Sequence, residues 1–416
     1  MTSAVKSIED FNDPSFNPFL EDALVFGDHL DPYPQIARLR RAASVQPGEY
    51  RVLMGLYPDI TCPDGASHYC VFGYDEVAQV LGDPTTFTNH SYTYNLGISF
   101  GRSISTMDAP EHPRFRRIFQ KAFLPQTVAA WGDELVDPVV HELMARFVDR
   151  GEADLVQEFT LHYPFHIIYR QLALPPEDVA TFHKLAIAQT VVAVDVAHGT
   201  EASRKLGTYF RQLVTERRQN PGNDLISTLA HAEVDGEYLP EEVLISFLRQ
   251  LVNAAGDTTY RATSVLLTAL LRHPEQLEAI RQDRSLIPQA IEEAVRWDGP
   301  VLMQSRFASK ATTLGGVDIA QGTFLDVIAG SANRDESRFP DPDRFDILRK
   351  PQHRHFAFAF GPHVCIGQHL ARVEMTRALN AILDRLPNLR LDPEKPAPEI
   401  RGTMMRVPHS IHVKFG

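Results

Sequence analysis

Cysteine is scarce in this 416-residue chain: Cys62, Cys70 and Cys365 are the three present, too few and too scattered for a disulfide framework. A reducing compartment fits that count. No stretch reaches about 18 uninterrupted apolar residues, and Met1 to Pro18 is polar and partly acidic, without the basic-then-apolar pattern of a signal peptide. These absences predict a soluble, cytoplasmic protein with no membrane partner. Positive charge is in deficit, with 41 Lys and Arg against 53 Asp and Glu and a net charge of -12. Phosphate neutralisation needs a basic face, so nucleic acid is not an expected partner. Gly/Ser-rich linkers, charge blocks and internal repeats are missing, which predicts one compact unit over residues 1–416. There is no flavin or nicotinamide fingerprint and no cysteine set for an iron–sulfur cluster, so redox chemistry here would need electrons from another protein.

What is present is an ordinary globular balance, 44% hydrophobic and 23% charged. From Asp75 onward most segments repeat apolar residues at helical spacing between Pro and Gly punctuation, so the fold class is mainly α with small β-sheets. A short hairpin is predicted over 50–73 around Pro63-Asp64-Gly65, with further strands near Thr313 to Ile319 and Val407 to Phe415. The β-rich parts are thus placed at approximately 50–73, 306–330 and 400–416. The longest helix is predicted from Pro240 to about Arg272, halted by His273-Pro274. Its middle holds Asn253-Ala254-Ala255-Gly256-Asp257-Thr258-Thr259. Glycine, a carboxylate and β-branched hydroxyls cost up to about 1 kcal/mol each against alanine there. A local violation of this kind points to function.

Cys365 lies in Phe358-Ala359-Phe360-Gly361-Pro362-His363-Val364-Cys365-Ile366-Gly367, ahead of apolar residues at helical spacing from Leu370 to Leu386. A thiolate that meets a metal needs close backbone approach, which Gly361 and Gly367 supply, and N–H donors, which a helix start supplies. Cys365 is therefore read as a haem-iron ligand with a lowered thiol pKa; without its loop it would read as an inert buried thiol. Glu293 and Arg296 form a helical pair that can hold a long loop beside a metal site. Asp257 and Thr258 pair a carboxylate with a hydroxyl. Thr258 either caps a kink by bonding the carbonyl one turn back, or opens the helix over an oxygen site while Asp257 relays protons. His112 and Arg116 share a helix face and can meet an anion, with Arg306 and His363 completing that site.

Together these residues resemble a bacterial-type soluble cytochrome P-450, a haem-thiolate monooxygenase, over essentially the whole chain. The resemblance implies the cytochrome P-450 fold, a triangular prism-like single domain with haem b between the long central helix and the cysteine-loop helix. It makes Cys365 the axial iron ligand and Asp257 and Thr258 the proton-delivery pair. It makes His112, Arg116, Arg306 and His363 propionate partners, places Phe358, Gly361 and Gly367 in the cofactor loop, and gives Glu293, Arg296 and Arg344 structural roles. Two positions depart from the family pattern: Ala359 and Ala255 stand where glycine is frequent, and Ala255 bears on the space above the iron.

The implied reaction inserts one oxygen atom of O2 into a C–H bond of a hydrophobic small organic substrate. Substrate-facing candidates are Tyr94, Leu96, Ile98, Phe100, Ala254, Val301, Leu302, Met303, Met404 and Met405, with core packing the competing reading for each. The apolar runs Leu185 to Ala188 and Val191 to Val194 could form a mobile lid. Electrons are expected from a small acidic ferredoxin with its NAD(P)H-dependent reductase, docking on Arg114, Arg117, Lys121, Arg354 and Arg372. Peroxide-driven hydroxylation, isomerisation and non-catalytic haem binding or gas sensing are the rival readings. The Asp257-Thr258 pair favours the O2 route.

Overall fold

A computed structural model describes residues 25–175, 179–350 and 352–416; helices make up most of them and strands form small sheets. Six helices position the site: α1 (Glu111–Ala122), α2 (Tyr163–Gln171), α3 (Val179–Ala188), α4 (Glu241–Arg272), α5 (Ile287–Asp298) and α6 (Gln368–Arg385). The 32-residue α4 matches the long helix predicted from sequence, with Glu241 and Glu242 favouring the positive end of its dipole and Pro274 beyond its last residue. Its N-terminal half joins an apolar cluster with α1, α2 and α3, where Phe119 stacks on Phe247 at 3.8 Å. Its C-terminal half supplies Leu266 and Leu270 to a second cluster with Ile291 and Val295 of α5 and Leu379 and Ile382 of α6. Each such side chain contributes about 1.5–3 kcal/mol on burial, so packing on both halves outweighs the poor helix formers between them.

The helix remains continuous through those residues. Gly256 has a packing reason: a Cβ there would lie 2.3 Å from Phe165 Cε1 on α2. Thr258 does not open the helix, because its Oγ1 donates to the Ala254 carbonyl one turn back at 2.9 Å.

A five-stranded sheet contains β1 (Val45–Pro47), β2 (His68–Val71), β3 (Phe87–Thr88), β4 (Gln304–Ala308) and β5 (Phe324–Val327) in the order β1-β2-β5-β4-β3. β2 and β5 run parallel with Cys70 opposite Asp326, and β4 runs antiparallel to β5 with Arg306 opposite Leu325. The hairpin predicted over 50–73 is not formed. The antiparallel partner of β2 is β1, and Tyr50–Leu53 is a helical turn. That turn is fixed by buried Tyr50, whose N–H donates to Asp326 Oδ2 at 2.8 Å and whose hydroxyl donates to the Thr403 carbonyl at 2.9 Å. The Thr312–Leu314 and Val317–Ile319 strands do pair, across Gly315 and Gly316. The run from 407 to 415 splits instead into Val407–Pro408 and His412–Lys414, which belong to different sheets. No described helix is long and apolar enough to cross a membrane.

Candidate active site

The cysteine loop folds back on itself, with the Cys365 N–H donating to the Phe358 carbonyl at 2.8 Å and the Val364 N–H to the Gly361 carbonyl at 3.1 Å. Gly361 needs to be glycine, since its φ is +72° and a Cβ would lie 2.4 Å from the Leu81 carbonyl oxygen. Gly367 has no such need: its φ is −85° and no atom lies within 4 Å of a built Cβ. Its contribution is its N–H, which with that of Gln368 bonds the Cys365 sulfur. Burial nevertheless pushes the Cys365 thiol up, against those N–H bonds and the nearby Arg116 and Arg372 guanidinium groups. The lowered thiol pKa expected from the helix start alone is therefore not met, because desolvation is the larger effect.

Although enclosed by protein, Cys365 has its free surface on a cavity of about 250 Å³. Phe358, Ile366 and Leu370 line it on the sulfur's side, and Leu251, Ala254, Ala255 and Thr258 of α4 line it as well. His363 also borders the cavity, its ring 3.8 Å from that of His112 and its Nδ1 3.1 Å from Asn89 Nδ2. Burial and the cations at His112, Arg306 and Arg116 push His363 down to about 2, and burial with Arg116 takes His112 to about 4. His112 Nε2 is buried without a hydrogen-bond partner among the described residues. Arg306 donates to the Ser305 carbonyl at 2.8 Å and Arg116 to the Val364 carbonyl at 2.5 Å, and neither is ion-paired among the described residues. Asp108 Oδ1 lies 4.0 Å from His363 Nε2. An apolar slot with a thiol on its wall and unneutralised donors beside it fits haem, whose macrocycle is apolar and whose edge is anionic.

Thr258 also lines a second cavity, of about 290 Å³, together with Ala254 and Asp257. Of the substrate-facing candidates, Leu96, Phe100, Val301, Met303, Met404 and Met405 border it too. Val301 and Met405 are brought together by a β-bridge, and the Leu302 N–H donates to the Met404 carbonyl at 2.9 Å. Tyr94, Ile98 and Leu302 do not line it. Leu302 is fully buried with Tyr33 and Ile36, Tyr94 packs edge-on against Phe324 and His90, and Ile98 is exposed. The sequence reading missed Gln250 and Asn253, which share this cavity with Asp257. Their spacing of three and four residues along α4 puts them on the Asp257 face, a signal that was available.

Asp257 is buried and its Oδ1 accepts from Arg261 Nε at 3.0 Å. The expected lid forms the end of α3 and the Gln189–Ala193 turn, with Thr190, Val192 and Ala193 over the cavity. It is tied down where Asn253 Nδ2 donates to the Ala186 carbonyl at 3.1 Å and Ser99 Oγ to the Gln189 carbonyl at 2.8 Å.

Glu293 and Arg296 make a bidentate pair at 2.7 and 2.8 Å, both buried. Arg296 Nη1 reaches the Asn333 carbonyl at 3.0 Å and the Pro342 carbonyl at 2.9 Å, so α5 holds the loop that leads to Cys365. The third member of the network is Arg349, whose Nε donates to Glu293 Oε1 at 3.1 Å. Arg344 was assigned that role from sequence, yet its side chain is 69% exposed and it offers its backbone carbonyl. A further clamp went unread: Glu292 accepts from Arg372 Nε at 2.5 Å and lies 2.8 Å from His355 Nε2. Against the upward push of burial, those bonds hold Glu292 down at about 2.

A model of the Cytochrome P450 family matches residues 195–415 of the chain. The cytochrome P450 monooxygenase PikC of Streptomyces venezuelae is 33% identical over 390 residues, 89% of this chain and 89% of that protein. The structure of cytochrome P450 CYP109Q5 from Chondromyces apiculatus superposes with a TM-score of 0.80 at 32% identity, covering 93% of this chain and 95% of that one. CYP109E1 from Bacillus megaterium in complex with testosterone gives 0.80 at 28% identity, over 93% and 99% of the two chains. Fold and cysteine pocket thus define a haem-thiolate enzyme. The chain belongs to the cytochrome P450 family of monooxygenases, whose members bind haem b through a cysteine thiolate.

Proposed function

We propose that this monooxygenase hydroxylates a C–H bond of a hydrophobic small organic molecule in the cytoplasm, with electrons from a separate ferredoxin and its NAD(P)H-dependent reductase. The observation that carries this is Thr258, which borders both the cavity holding the Cys365 sulfur and the cavity lined by Leu96, Phe100, Val301 and Met303. When bound, haem supplies the activation of dioxygen, which thiolate donation favours. Cys365 would hold its iron, and His112, Arg116, Arg306 and His363 would hold its anionic edge.

The chain's own residues do the rest. The apolar wall orients the substrate and keeps water off it. Thr258 Oγ1 donates to the Ala254 carbonyl, so its lone pairs are left to accept a proton donor from the cavity. Asp257, one position before it and lining the same cavity, supplies a carboxylate for proton relay. The testosterone seen in CYP109E1 supports a compact apolar substrate class. For the ferredoxin, Arg117 and Lys121 on α1 and exposed Arg354 offer positive charge in a chain of net charge -12. Arg114 and Arg372 contribute less, being paired with Asp235 and Glu292 at 2.7 and 2.5 Å.

The test is Thr258→Ala in the haem-loaded enzyme. Oxygen consumption should continue while hydroxylated product per O2 falls several-fold and hydrogen peroxide rises. Full coupling in the variant would overturn the assignment.

A further inference from the structure

The second cavity that Thr258 borders is apolar along Leu96, Phe100, Val301 and Met303, polar on α4, and acidic where the β1–β2 connection meets β5. Glu49, Asp59 and Asp326 all line it there. Asp326 is 5% exposed; its Oδ2 accepts from the Tyr50 N–H at 2.8 Å, and its Oδ1 makes no hydrogen bond among the described residues. Glu49 Oε1 accepts from the Asp59 N–H at 2.7 Å, and Asp59 Oδ1 accepts from the Thr61 N–H at 2.9 Å. One guanidinium, that of Arg51, lies among them. It is spent on backbone, its Nε donating to the Tyr57 carbonyl at 2.8 Å and Nη1 to the Val25 carbonyl at 2.7 Å. Three carboxylates against one cation leave this end net negative.

It is also short of donors. Gln304 Oε1, which borders the same cavity, is buried without a partner among the described residues, and so is Nδ1 of cavity-lining His68, an acceptor when the ring carries its proton on Nε2. Buried acceptors left unpaired cost about 1–3 kcal/mol each, so a bound molecule that donates hydrogen bonds recovers what the protein does not supply.

We propose that the substrate carries a hydrogen-bond-donating head, an amine or a hydroxyl, that docks on Asp326 with Glu49 and Asp59 beside it, and that a carboxylate head is rejected. This rests on the hydroxylation reading of the same cavity. A carboxylate would add negative charge to a pocket end that already holds Glu49, Asp59 and buried Asp326 against Arg51 alone, and like charges there repel. A donor head fixes one end of the molecule, and its apolar body then lies along Leu96, Phe100 and Val301. The carbon presented at Thr258 is therefore set by its distance from the head. Burial pushes Asp326 up to about 7, the response of a carboxyl that has no cation bonded to it.

The test uses the haem-loaded full chain and four twelve-carbon probes below their micelle concentrations: dodecylguanidinium, dodecan-1-ol, dodecyl methyl ether and dodecanoate. None of the first three ligates iron strongly, and dissociation constants are read by equilibrium dialysis. The guanidinium and the alcohol should bind more tightly than the ether, with dodecanoate weakest and at least about tenfold behind the alcohol. A leading guanidinium marks a cationic natural head, and parity with the alcohol a neutral one. Asp326→Asn with Glu49→Gln should shrink the spread to about threefold or less. Dodecanoate binding as tightly as dodecan-1-ol in the wild type overturns the proposal, as does a spread that survives the double substitution. The reduced carbon-monoxide spectrum separates the two readings. A thiolate-type spectrum without probe preference sinks this inference alone, and a histidine-type spectrum sinks the reading beneath it.

Discussion

Ala359 shows what a single residue costs in a constrained loop. Its φ is +59°, in the left-handed region that disfavours any side chain with a Cβ, and it borders the cysteine cavity. Glycine is what the family resemblance leads one to expect there. Ala359→Gly should therefore stabilise the protein by about 0.5–1 kcal/mol, the relief of strain exceeding the added freedom of the unfolded chain, and a higher urea midpoint is the check. The cysteine loop was legible because metal and backbone together dictate residue type at each position. The residues lining the second cavity at Thr258 were less so. Tyr94, Ile98 and Leu302 lie beside cavity-lining residues in sequence, but in short helical turns and bridges neighbours point to different sides, and no periodicity is long enough to separate them.

Among the elements, α5 and the loop after β5 depend on one ion-pair network. Arg296→Ala leaves Glu293 buried with half its partners and frees two backbone carbonyls, a loss of about 3–5 kcal/mol. Arg349→Ala should cost about 1.5–3 kcal/mol, since it removes one charged hydrogen bond to Glu293 and the bonds to the Asp341 and Arg344 carbonyls. Arg344→Ala should stay within about 0.5 kcal/mol. Denaturant unfolding of the three variants checks this order, and an Arg344 variant as weak as the Arg349 one would refute it. Sequence gave no way to choose between them, because residues 340–349 form a turn without hydrophobic period. The α4 boundaries were legible for the opposite reason, since proline stands at each end. The misread hairpin at 50–73 had the right composition for strands, but Tyr50 is captured by β5 and Thr403, contacts hundreds of residues away.

For the whole molecule, fold class and the order of motifs were readable, whereas the charge balance of the interior was not, because carboxylates distant in sequence meet only in the fold. Asp326, Glu49 and Asp59 come from β5 and the β1–β2 connection and face Arg51, with Tyr50 and Cys70 also around Asp326. Burial, outweighing the Tyr50 N–H and Arg51, takes Asp326 from 3.8 to about 7, and burial with Asp59 also raises Glu49. At the acid end the sign reverses for Glu292 and Glu336: against burial, bonds from His355 and Arg372 and from Arg41 and Arg40 hold them at about 2. Their contribution is present above the ordinary value of 4.5 and fades as pH falls toward 2. Asp326 acts in the other direction. Between 3.8 and about 7 the folded chain keeps a proton that the unfolded chain has released, so stability drains away as pH rises through that window and stays lower above it. Asn keeps the acceptor for Tyr50 and has no proton to lose. Asp326→Asn should therefore match the wild type near pH 4 and exceed it at pH 8 by a few kcal/mol, on the order expected for a shift of this size. Urea midpoints at the two pH values decide it: a difference that fails to widen toward pH 8 would mean that Asp326 is ionised in the folded protein at little cost.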